Sequence, residues 1–314
     1  MTITQLKYVL AVAEHKNFTT ASEYCFVTQP TLSMQIHKLE EQLGVQIFNR
    51  NKKPIELTEV GKKIVAQSKT IVNESNRIND IVEQEKGYIG GEFKLGIIPT
   101  IMPSLLPLFL KNFNKRYPKV ELVIYELTTA EIVQKLSDGH LDAAIAATPL
   151  NNDAIIEAPI YYEPFIGLVN KNHRLYEQKF LHPNDLNIED LLLLEDGHCF
   201  KESVLNICST LGHKNKKKFA LQSGSFDTLI KLTKEGLGMT LLPYLHSLDL
   251  KEEDKKLIRE FEQPHPAREV SLIYHKSGLK LQIINALKDE ISGILRGVIA
   301  FSNVDIISPL KLKK

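Results

Sequence analysis

The chain has 314 residues, of which 43% are hydrophobic and 25% are charged, and its formal net charge is +1. This length predicts two or three compact units, and the composition is that of a soluble globular protein. The near-zero net charge excludes nucleic-acid binding by bulk charge, so any DNA-binding surface must be a local patch.

The sequence predicts a cytosolic protein without a membrane span. It has no secretory leader pattern, and its most apolar stretch, residues 95–110, contains three prolines that would interrupt a membrane helix. The chain contains three cysteines, Cys25, Cys199 and Cys208. Three thiols in a reducing compartment are not a disulfide framework, and a disulfide there is usually transient, redox-sensing or catalytic.

Three helices are predicted near the N-terminus, at residues 5–14, 18–26 and 27–44. The third has a threonine N-cap, a proline in its first turn and a glycine at its end, namely Thr28, Pro30 and Gly44. Its apolar residues recur on one face, which we expect to be buried: Leu32, Ile36, Leu39 and Leu43. Cys25 lies at a mostly apolar position and is interpreted as a small core residue.

The remaining face of the third helix carries polar side chains long enough to reach bases: Gln29, Thr31, Ser33, Gln35, His37 and Lys38. Two short helices with such a face are typical of a helix-turn-helix, whose second helix lies in the major groove. Residues 45–58 predict a wing of two short strands around a basic tip suited to phosphates or a minor groove: Arg50, Lys52 and Lys53. A small helical bundle with a solvated polar face is the alternative.

The segment "FTTASEYCFVTQPTLSMQIHKLEEQLGVQIFNR", followed by "LTEVGKK", resembles the N-terminal domain of LysR-type transcriptional regulators. The resemblance runs without a gap over about residues 3–65 and implies promoter DNA as a partner. It makes residues 1–58 a winged DNA-binding domain with its helix-turn-helix at 18–37. Thr31, Ser33 and Gln35 then face the groove and Arg50 the backbone, within a contact set completed by Gln29, Pro30, Lys38, Lys52 and Lys53.

Residues 59–86 contain no proline, and no glycine after Gly61, so they predict one long helix. Apolar residues about one heptad apart form a seam along it: Ile64, Ile71, Ile78 and Val82, with Val72 and Ile81 nearby. A helix of this length cannot bury the seam alone. In LysR-type regulators this is the linker helix that pairs two subunits, so we expect a linker at 59–87.

From residue 88 onward, apolar strand-like runs alternate with helices, which favours parallel sheets of the doubly wound kind. The predicted elements include strands at 165–170, 191–195 and 217–221 and a helix at 199–211. The spacing indicates two lobes. Lobe I comprises about 91–162 and 266–302, and lobe II comprises about 163–265. This α/β arrangement resembles the periplasmic-binding-protein-like effector domain of the LysR family. Ligands bind at the carboxyl ends of strands in open sheets, which places Thr100 and Thr129 in the expected cleft.

Cys199 and Cys208 raise four alternatives: a metal site, a structural disulfide, a catalytic thiol or a switch. A zinc site needs about four ligands at short spacing, which these residues do not offer. A permanent disulfide is disfavoured because nine helical residues rise about 13.5 Å, whereas bridged cysteines need Cα atoms within about 7 Å. Cys208 alone fits a buried core position. A reactive thiol fits Cys199 better, since a helix N-terminus, His198 and Lys201 would each favour the thiolate that attacks peroxide.

The segments "IPT" (98–100), "LLLLEDGHC" (191–199) and "GMTLLP" (238–243) resemble the peroxide-sensing activators of the LysR family over nearly the whole chain. The resemblance implies that Cys199 is the peroxidatic cysteine and Cys208 its resolving partner in a reversible disulfide. It also implies a peroxide-binding set in which Lys201 stands where arginine is usual and could change sensitivity: Thr100, Thr129, His198, Lys201 and Arg268.

Further expectations follow from that resemblance. The protein is expected to be a homotetramer built as a dimer of dimers, to contact RNA polymerase, and to be recycled by a dithiol reductant of the glutaredoxin or thioredoxin type. It is expected to need no metal or cofactor and not to be an enzyme. Two alternatives stay open: a LysR-type regulator that responds to a small metabolite in the cleft, and a thiol peroxidase.

Overall fold

A computed structural model describes residues 1–85, 89–195, 197, 199–208, 221, 223–278, 280–299, 301 and 303–310. The chain forms two compact units, Met1–Tyr88 and Ile89–Lys314. No helix in these described ranges is both long enough and apolar enough to cross a membrane.

The N-terminal unit consists of three short helices, a two-stranded wing and one long helix. The helices are α1 (Ile3–His15), α2 (Phe18–Tyr24), α3 (Gln29–Leu43) and α4 (Glu59–Glu85), and the antiparallel strands are β1 (Phe48–Asn49) and β2 (Glu56–Leu57). The predicted helix-turn-helix, wing and long helix are therefore all present. The expected α/β fold with an N-terminal helix-turn-helix is confirmed.

Helix α3 begins and ends where its sequence predicts. The Thr28 side chain accepts a hydrogen bond from the Thr31 N–H, and Gly44 ends the helix with a left-handed φ of 68°. Such a φ costs least for glycine, which has no Cβ. Leu32, Ile36 and Leu39 are buried, but Leu43 is 41% exposed, so the prediction that Leu43 lies on the buried face was wrong. Leu43 is the last residue of the helix, where the core no longer covers it.

Among the described residues of the C-terminal unit, nine strands form one sheet in the order β4-β3-β5-β10-β6-β9-β7, with β11 paired to β10 and β8 to β6. They are β3 (Gly91–Ile97), β4 (Val120–Glu126), β5 (Ala143–Thr148), β6 (Ile155–Leu168), β7 (Phe180–Leu181), β8 (Thr240–Pro243), β9 (Ile258–Phe261), β10 (His265–His275) and β11 (Val304–Ile306). The helices are α5 (Met102–Arg116), α6 (Thr129–Ser137), α7 (Cys199–Ile207), α8 (Phe226–Lys234), α9 (Tyr244–Leu248), α10 (Glu252–Lys255) and α11 (Leu281–Leu295), with a 3₁₀ turn at Pro183–Asp185.

The sheet is mixed, whereas the alternation of strands and helices favoured parallel sheets. Strand β3 is parallel to β4 and β5, but β10 is antiparallel to both β5 and β6. The reason is that β6 and β10 are long strands that run through both halves of the unit beside each other. The segment predicted as a strand at 165–170 is only the end of β6. At 191–195 only Leu191 forms a β-bridge, to Met239, and the strand predicted at 217–221 lies almost wholly outside the described residues.

The described residues of the C-terminal unit form two hydrophobic clusters, one in each lobe, and β6 and β10 run side by side from one lobe into the other. The lobe I cluster includes Phe93, Phe109 and Tyr161, together with the buried face of α11. The lobe II cluster begins with Phe165 on β6 and ends with Phe261 on β9. Because β6 and β10 belong to both lobes, the residues at which these two strands pass from one lobe to the other lie where the lobes meet.

Candidate functional site

Cys199 and Cys208 lie at opposite ends of α7 and pack against different clusters. Cys199 is the first residue of the helix and is half-buried against the lobe I cluster. Cys208 directly follows the helix and is buried in the lobe II cluster. Both thiols are free. The intervening helix separates them by about 13.5 Å along its axis, so a bond between them requires α7 to unwind.

A buried ion pair lies where the lobes meet. Arg268 on β10 and Glu163 on β6 stand opposite each other in the antiparallel register, and each side chain is 1% exposed. The guanidinium donates two hydrogen bonds to Glu163 Oε2, at 2.9 and 2.7 Å. It donates two more to the Thr100 hydroxyl and carbonyl oxygens, at 2.9 and 3.0 Å. Four of the five N–H groups of an arginine are thereby used, which fixes the plane of the group.

Glu163 connects this ion pair to a third element. Its Oε1 accepts a hydrogen bond from the Leu245 backbone N–H in α9, at 3.0 Å. Thr100 lies just after the end of β3. The network therefore connects β3, β6, β10 and α9. Its buried charges are paired and hydrogen-bonded, which is the condition under which proteins tolerate them.

The first turn of α7 rests on this network through Phe200. The Arg268 guanidinium carbon lies 5.2 Å from the centre of the Phe200 ring, a cation–π contact. Phe200 also packs against Phe165 and Phe226, with ring centres 5.2 and 5.0 Å apart. Because Phe200 is the residue after Cys199, these contacts hold the thiol close to the Arg268 charge.

Thr129 brings a free hydroxyl to the same place. It is the first residue of α6, whose N-cap, Thr128, forms a capping box with Glu131. Thr129 Oγ1 is buried and has no hydrogen-bond partner among the described residues. Its contact with the Cys199 thiol falls short of hydrogen-bond geometry, yet it favours the thiolate. A buried hydroxyl with unused bonding capacity beside a thiol is suited to a small polar ligand.

The pKa of the Cys199 thiol is raised above its ordinary value, and burial is the main cause. Arg268, Thr129 and backbone N–H groups at the start of α7 act in the opposite direction but do not outweigh burial. The sequence led us to expect a thiolate favoured by the helix N-terminus, His198 and Lys201. The helix N-terminus contributes as expected, and Arg268 adds a positive charge that also favours the thiolate. The predicted contribution of His198 falls outside the described residues.

The raised pKa of the Cys199 thiol predicts how the rate of its oxidation depends on pH. Because the thiolate is the nucleophile, the rate of sulfenic acid formation with hydrogen peroxide is expected to rise with pH through the ordinary cysteine pKa of about 8.5. The rate is measured by trapping in the Cys208→Ser variant, where the sulfenic acid cannot be resolved. A plateau reached by pH 7 would contradict it and would show that the thiolate already dominates at rest.

The Cys208 thiol has different properties. Burial raises the pKa of Cys208 to about 11. A thiol with this pKa stays protonated at neutral pH and is a poor nucleophile while α7 is folded. Cys208 can therefore react only after the end of α7 opens.

The structure brings Thr100, Thr129, Arg268 and Cys199 together from the turn after β3 and from α6, β10 and α7. Lys201 lies partly exposed in the first turn of α7. His198 lies outside the described residues. Sequence reasoning did not find Glu163 or Phe200. The signal for Glu163 was a single acidic residue within the apolar run "YYEPFIGL" (161–168), which indicates a buried partner.

The described part of the chain contains no group of three or more histidine, cysteine or acidic residues placed to hold a metal ion.

The outer face of α3 is exposed as a helix-turn-helix requires. Gln29, Pro30, Thr31 and Lys38 are exposed, whereas Ser33 and Gln35 are half-buried. Gln35 Oε1 accepts a hydrogen bond from Gln5 Nε2 at 3.2 Å, which orients the side chain from α1.

The basic residues of the wing differ from one another in their surroundings. Arg50 forms an ion pair with the buried Glu40 at 2.8 Å and lies 5.2 Å from the centre of the Phe18 ring. Glu40 also accepts hydrogen bonds from the N–H groups of Ile47 and Phe48, so Arg50 fastens the wing to α3. Lys52 pairs with Glu56 at the surface, and Lys53 is exposed at the tip.

Family models match both units. Residues 3–62 match the model "Bacterial regulatory helix-turn-helix protein, lysR family", and residues 86–293 match "LysR substrate binding domain".

Similar proteins cover nearly the whole chain. The "Hydrogen peroxide-inducible genes activator" of Haemophilus influenzae is 33% identical over 305 residues, 95% of this chain and 100% of that protein. A full-length OxyR variant from Pseudomonas aeruginosa is 33% identical, with a TM-score of 0.77 over 93% of this chain and 94% of that one. A hydrogen-peroxide-bound OxyR variant from Corynebacterium glutamicum is 27% identical, with a TM-score of 0.63 over 95% and 94%.

These matches extend over both the helix-turn-helix and the two-lobed unit that contains the cysteines. The chain belongs to the LysR family of bacterial helix-turn-helix regulators.

Proposed function

We propose that this protein is a DNA-binding transcriptional regulator that senses hydrogen peroxide through Cys199 and controls antioxidant-defence genes. One observation carries the proposal: the Cys199 thiol lies beside the unpartnered Thr129 hydroxyl and within the field of the buried Arg268. The similarity to peroxide-inducible activators supports it.

The peroxide-binding set is Thr100, Thr129, His198, Lys201 and Arg268. The Thr100 hydroxyl accepts from Arg268, so its own hydrogen is available for a peroxide oxygen. Thr129 can donate or accept. The Cys199 thiolate attacks one peroxide oxygen, the O–O bond breaks, and the released hydroxide takes a proton to leave as water. The products are a Cys199 sulfenic acid and one water molecule.

Cys208 then resolves the sulfenic acid. Its sulfur attacks the Cys199 sulfur, the S–O bond breaks, and a second water leaves as the Cys199–Cys208 disulfide forms. This requires α7 to unwind, because the thiols belong to different clusters. The oxidised arrangement therefore differs from the reduced one over the whole of α7. A dithiol reductant of the glutaredoxin or thioredoxin type reverses the step.

DNA binding is assigned to the helix-turn-helix at 18–37 and to the wing. Gln29, Pro30, Thr31, Ser33, Gln35 and Lys38 meet the major groove, while Lys52 and Lys53 meet the backbone. Arg50 contributes a backbone contact from a position already fixed by Glu40.

The assembly is a homotetramer built as a dimer of dimers. A single helix-turn-helix that reads one half-site of the DNA has little affinity, so a dimer is needed. The exposed part of the apolar seam along α4 supports pairing with a second copy of the chain. Ile78, Ile81 and Val82 are 64%, 48% and 45% exposed within one chain. Oxidation changes how the effector domains pack, and thereby the spacing of the DNA-binding pairs and the contact with RNA polymerase. The protein works in the cytoplasm, with residues 1–58, 59–87 and 88–314 as its DNA-binding, linker and sensing parts.

The test combines thiol counting with DNA footprinting. Mild peroxide is expected to remove two thiols per chain and to change the footprint on a bound promoter fragment. Unchanged thiol counts would favour a regulator of the same family that responds to a metabolite. Rapid multiple-turnover consumption of peroxide would favour a thiol peroxidase.

A further inference from the structure

The C-terminal segment 303–310 contacts the last turn of α7. Strand β11 pairs with the beginning of β10, and Ile307 packs against the lobe II cluster. The Asn206 side-chain amide donates two hydrogen bonds to this segment, to Ser308 O and Leu310 O, each at 2.9 Å. Pro309, between the two acceptors, is buried.

We propose that Asn206 is a positioning residue for the redox reaction, because it fastens the Cys208 end of α7 to the C-terminal segment and so holds the helix closed. The inference rests on the function proposed above. The contact made by Asn206 is not needed for the reaction of Cys199 with peroxide. It sets how readily Cys208 resolves the sulfenic acid at Cys199.

The position of Asn206 supports this role. It lies two residues before Cys208 and seven after Cys199, so it acts on the resolving end of α7 and not on the peroxide site. A side-chain amide has two N–H donors, and both are used here, on carbonyl groups outside the helix. Unwinding of α7 moves Asn206 and breaks both bonds. The bonds therefore exist only in the reduced arrangement and favour it.

The sign of the effect follows from that difference. Loss of the two bonds destabilises the reduced helical form relative to the disulfide form. Two neutral hydrogen bonds correspond to a change of about tenfold in the equilibrium between the two forms. For a two-electron couple, tenfold is a shift of about 30 mV toward a more negative reduction potential. Conversion of the sulfenic acid to the disulfide is also expected to be faster, because the opening of α7 precedes it.

The test uses Asn206→Asp in the full-length protein, because aspartate has a similar size and helix propensity but cannot donate. The matched control is Asn170→Asp. The Asn170 amide also donates to two carbonyl oxygens, Thr233 O and Lys234 O at 3.1 and 2.7 Å, but away from α7. Asn206→Ala with Asn170→Ala forms a second pair, in which the added helix propensity of alanine opposes the expected effect.

Three quantities are measured: the rate of sulfenic acid formation in a Cys208→Ser background, the rate of disulfide formation, and the reduction potential of the Cys199–Cys208 couple. We expect both Asn206 variants to keep the first rate, to raise the second and to lower the potential, while both Asn170 variants match the unsubstituted protein. Equal rates and potentials in the Asn206 and Asn170 variants would overturn the inference. Failure of the unsubstituted protein to form the disulfide would instead overturn the proposed function.

Discussion

Cys199→Ser is expected to abolish the transcriptional response to hydrogen peroxide while leaving the protein folded and bound to DNA. A serine hydroxyl remains protonated at any physiological pH and does not attack peroxide, so no sulfenic acid and no disulfide can form. Folding should be preserved because serine has nearly the size of cysteine and Cys199 is only half-buried. The measurement is a promoter reporter with and without peroxide, accompanied by footprinting of the purified variant.

Cys25→Ser is the matched control for that substitution. Cys25 packs against the core of the N-terminal unit, and burial raises the pKa of its thiol. Its replacement should leave the peroxide response intact. In Cys208→Ser, a sulfenic acid probe should label Cys199 because the resolving thiol is missing. A normal reporter response in Cys199→Ser would refute peroxide sensing at this residue.

Arg268→Met is expected to lower the free energy of unfolding by about 3–5 kcal/mol, the range measured when one partner of a buried ion pair is removed. Glu163 would then keep only the Leu245 N–H as a partner within a site that is 1% exposed. The variant therefore leaves a buried carboxylate without its counter-charge, which is the costly arrangement. Chemical denaturation of the variant and of the unsubstituted protein measures the loss of stability.

The double variant Arg268→Met with Glu163→Gln separates the charge from the packing. A neutral glutamine can still accept from the Leu245 N–H and leaves no unpaired charge, so part of the stability should return. Arg268→Met should also slow sulfenic acid formation at Cys199, because the charge that opposes the effect of burial on the thiol pKa is gone. Equal stability of the single variant and the unsubstituted protein would show that the ion pair contributes nothing.

Much of the N-terminal unit could be predicted from its sequence because its signals are local. Thr28, Pro30 and Gly44 define α3 by hydrogen bonding and backbone conformation within a few residues. The polar face of α3 follows from helical periodicity alone. Arg50 shows the limit of prediction from local signals. Its positive charge is evident in the sequence, but its ion pair with Glu40 depends on how the wing folds back onto α3.

In the C-terminal unit, the sequence by itself determined which residues could carry redox chemistry: two cysteines nine positions apart, the first at the start of a helix predicted over 199–211. It also determined the alternation of strands and helices that makes an α/β fold. Residue type and periodicity carry this information, and neither depends on distant parts of the chain.

Only the tertiary structure decided what surrounds those cysteines. The pairing of Glu163 with Arg268 depends on the register of two strands separated by about a hundred residues, which no local pattern specifies. The raised pKa of Cys199 likewise depends on burial of the thiol in the folded unit, which outweighs the nearby positive charge and the helix N-terminus. The contact of Asn206 with Ser308 and Leu310 links residues more than a hundred positions apart. Burial and long-range pairing arise only when the chain closes on itself, and for this protein they set the chemistry of the thiol.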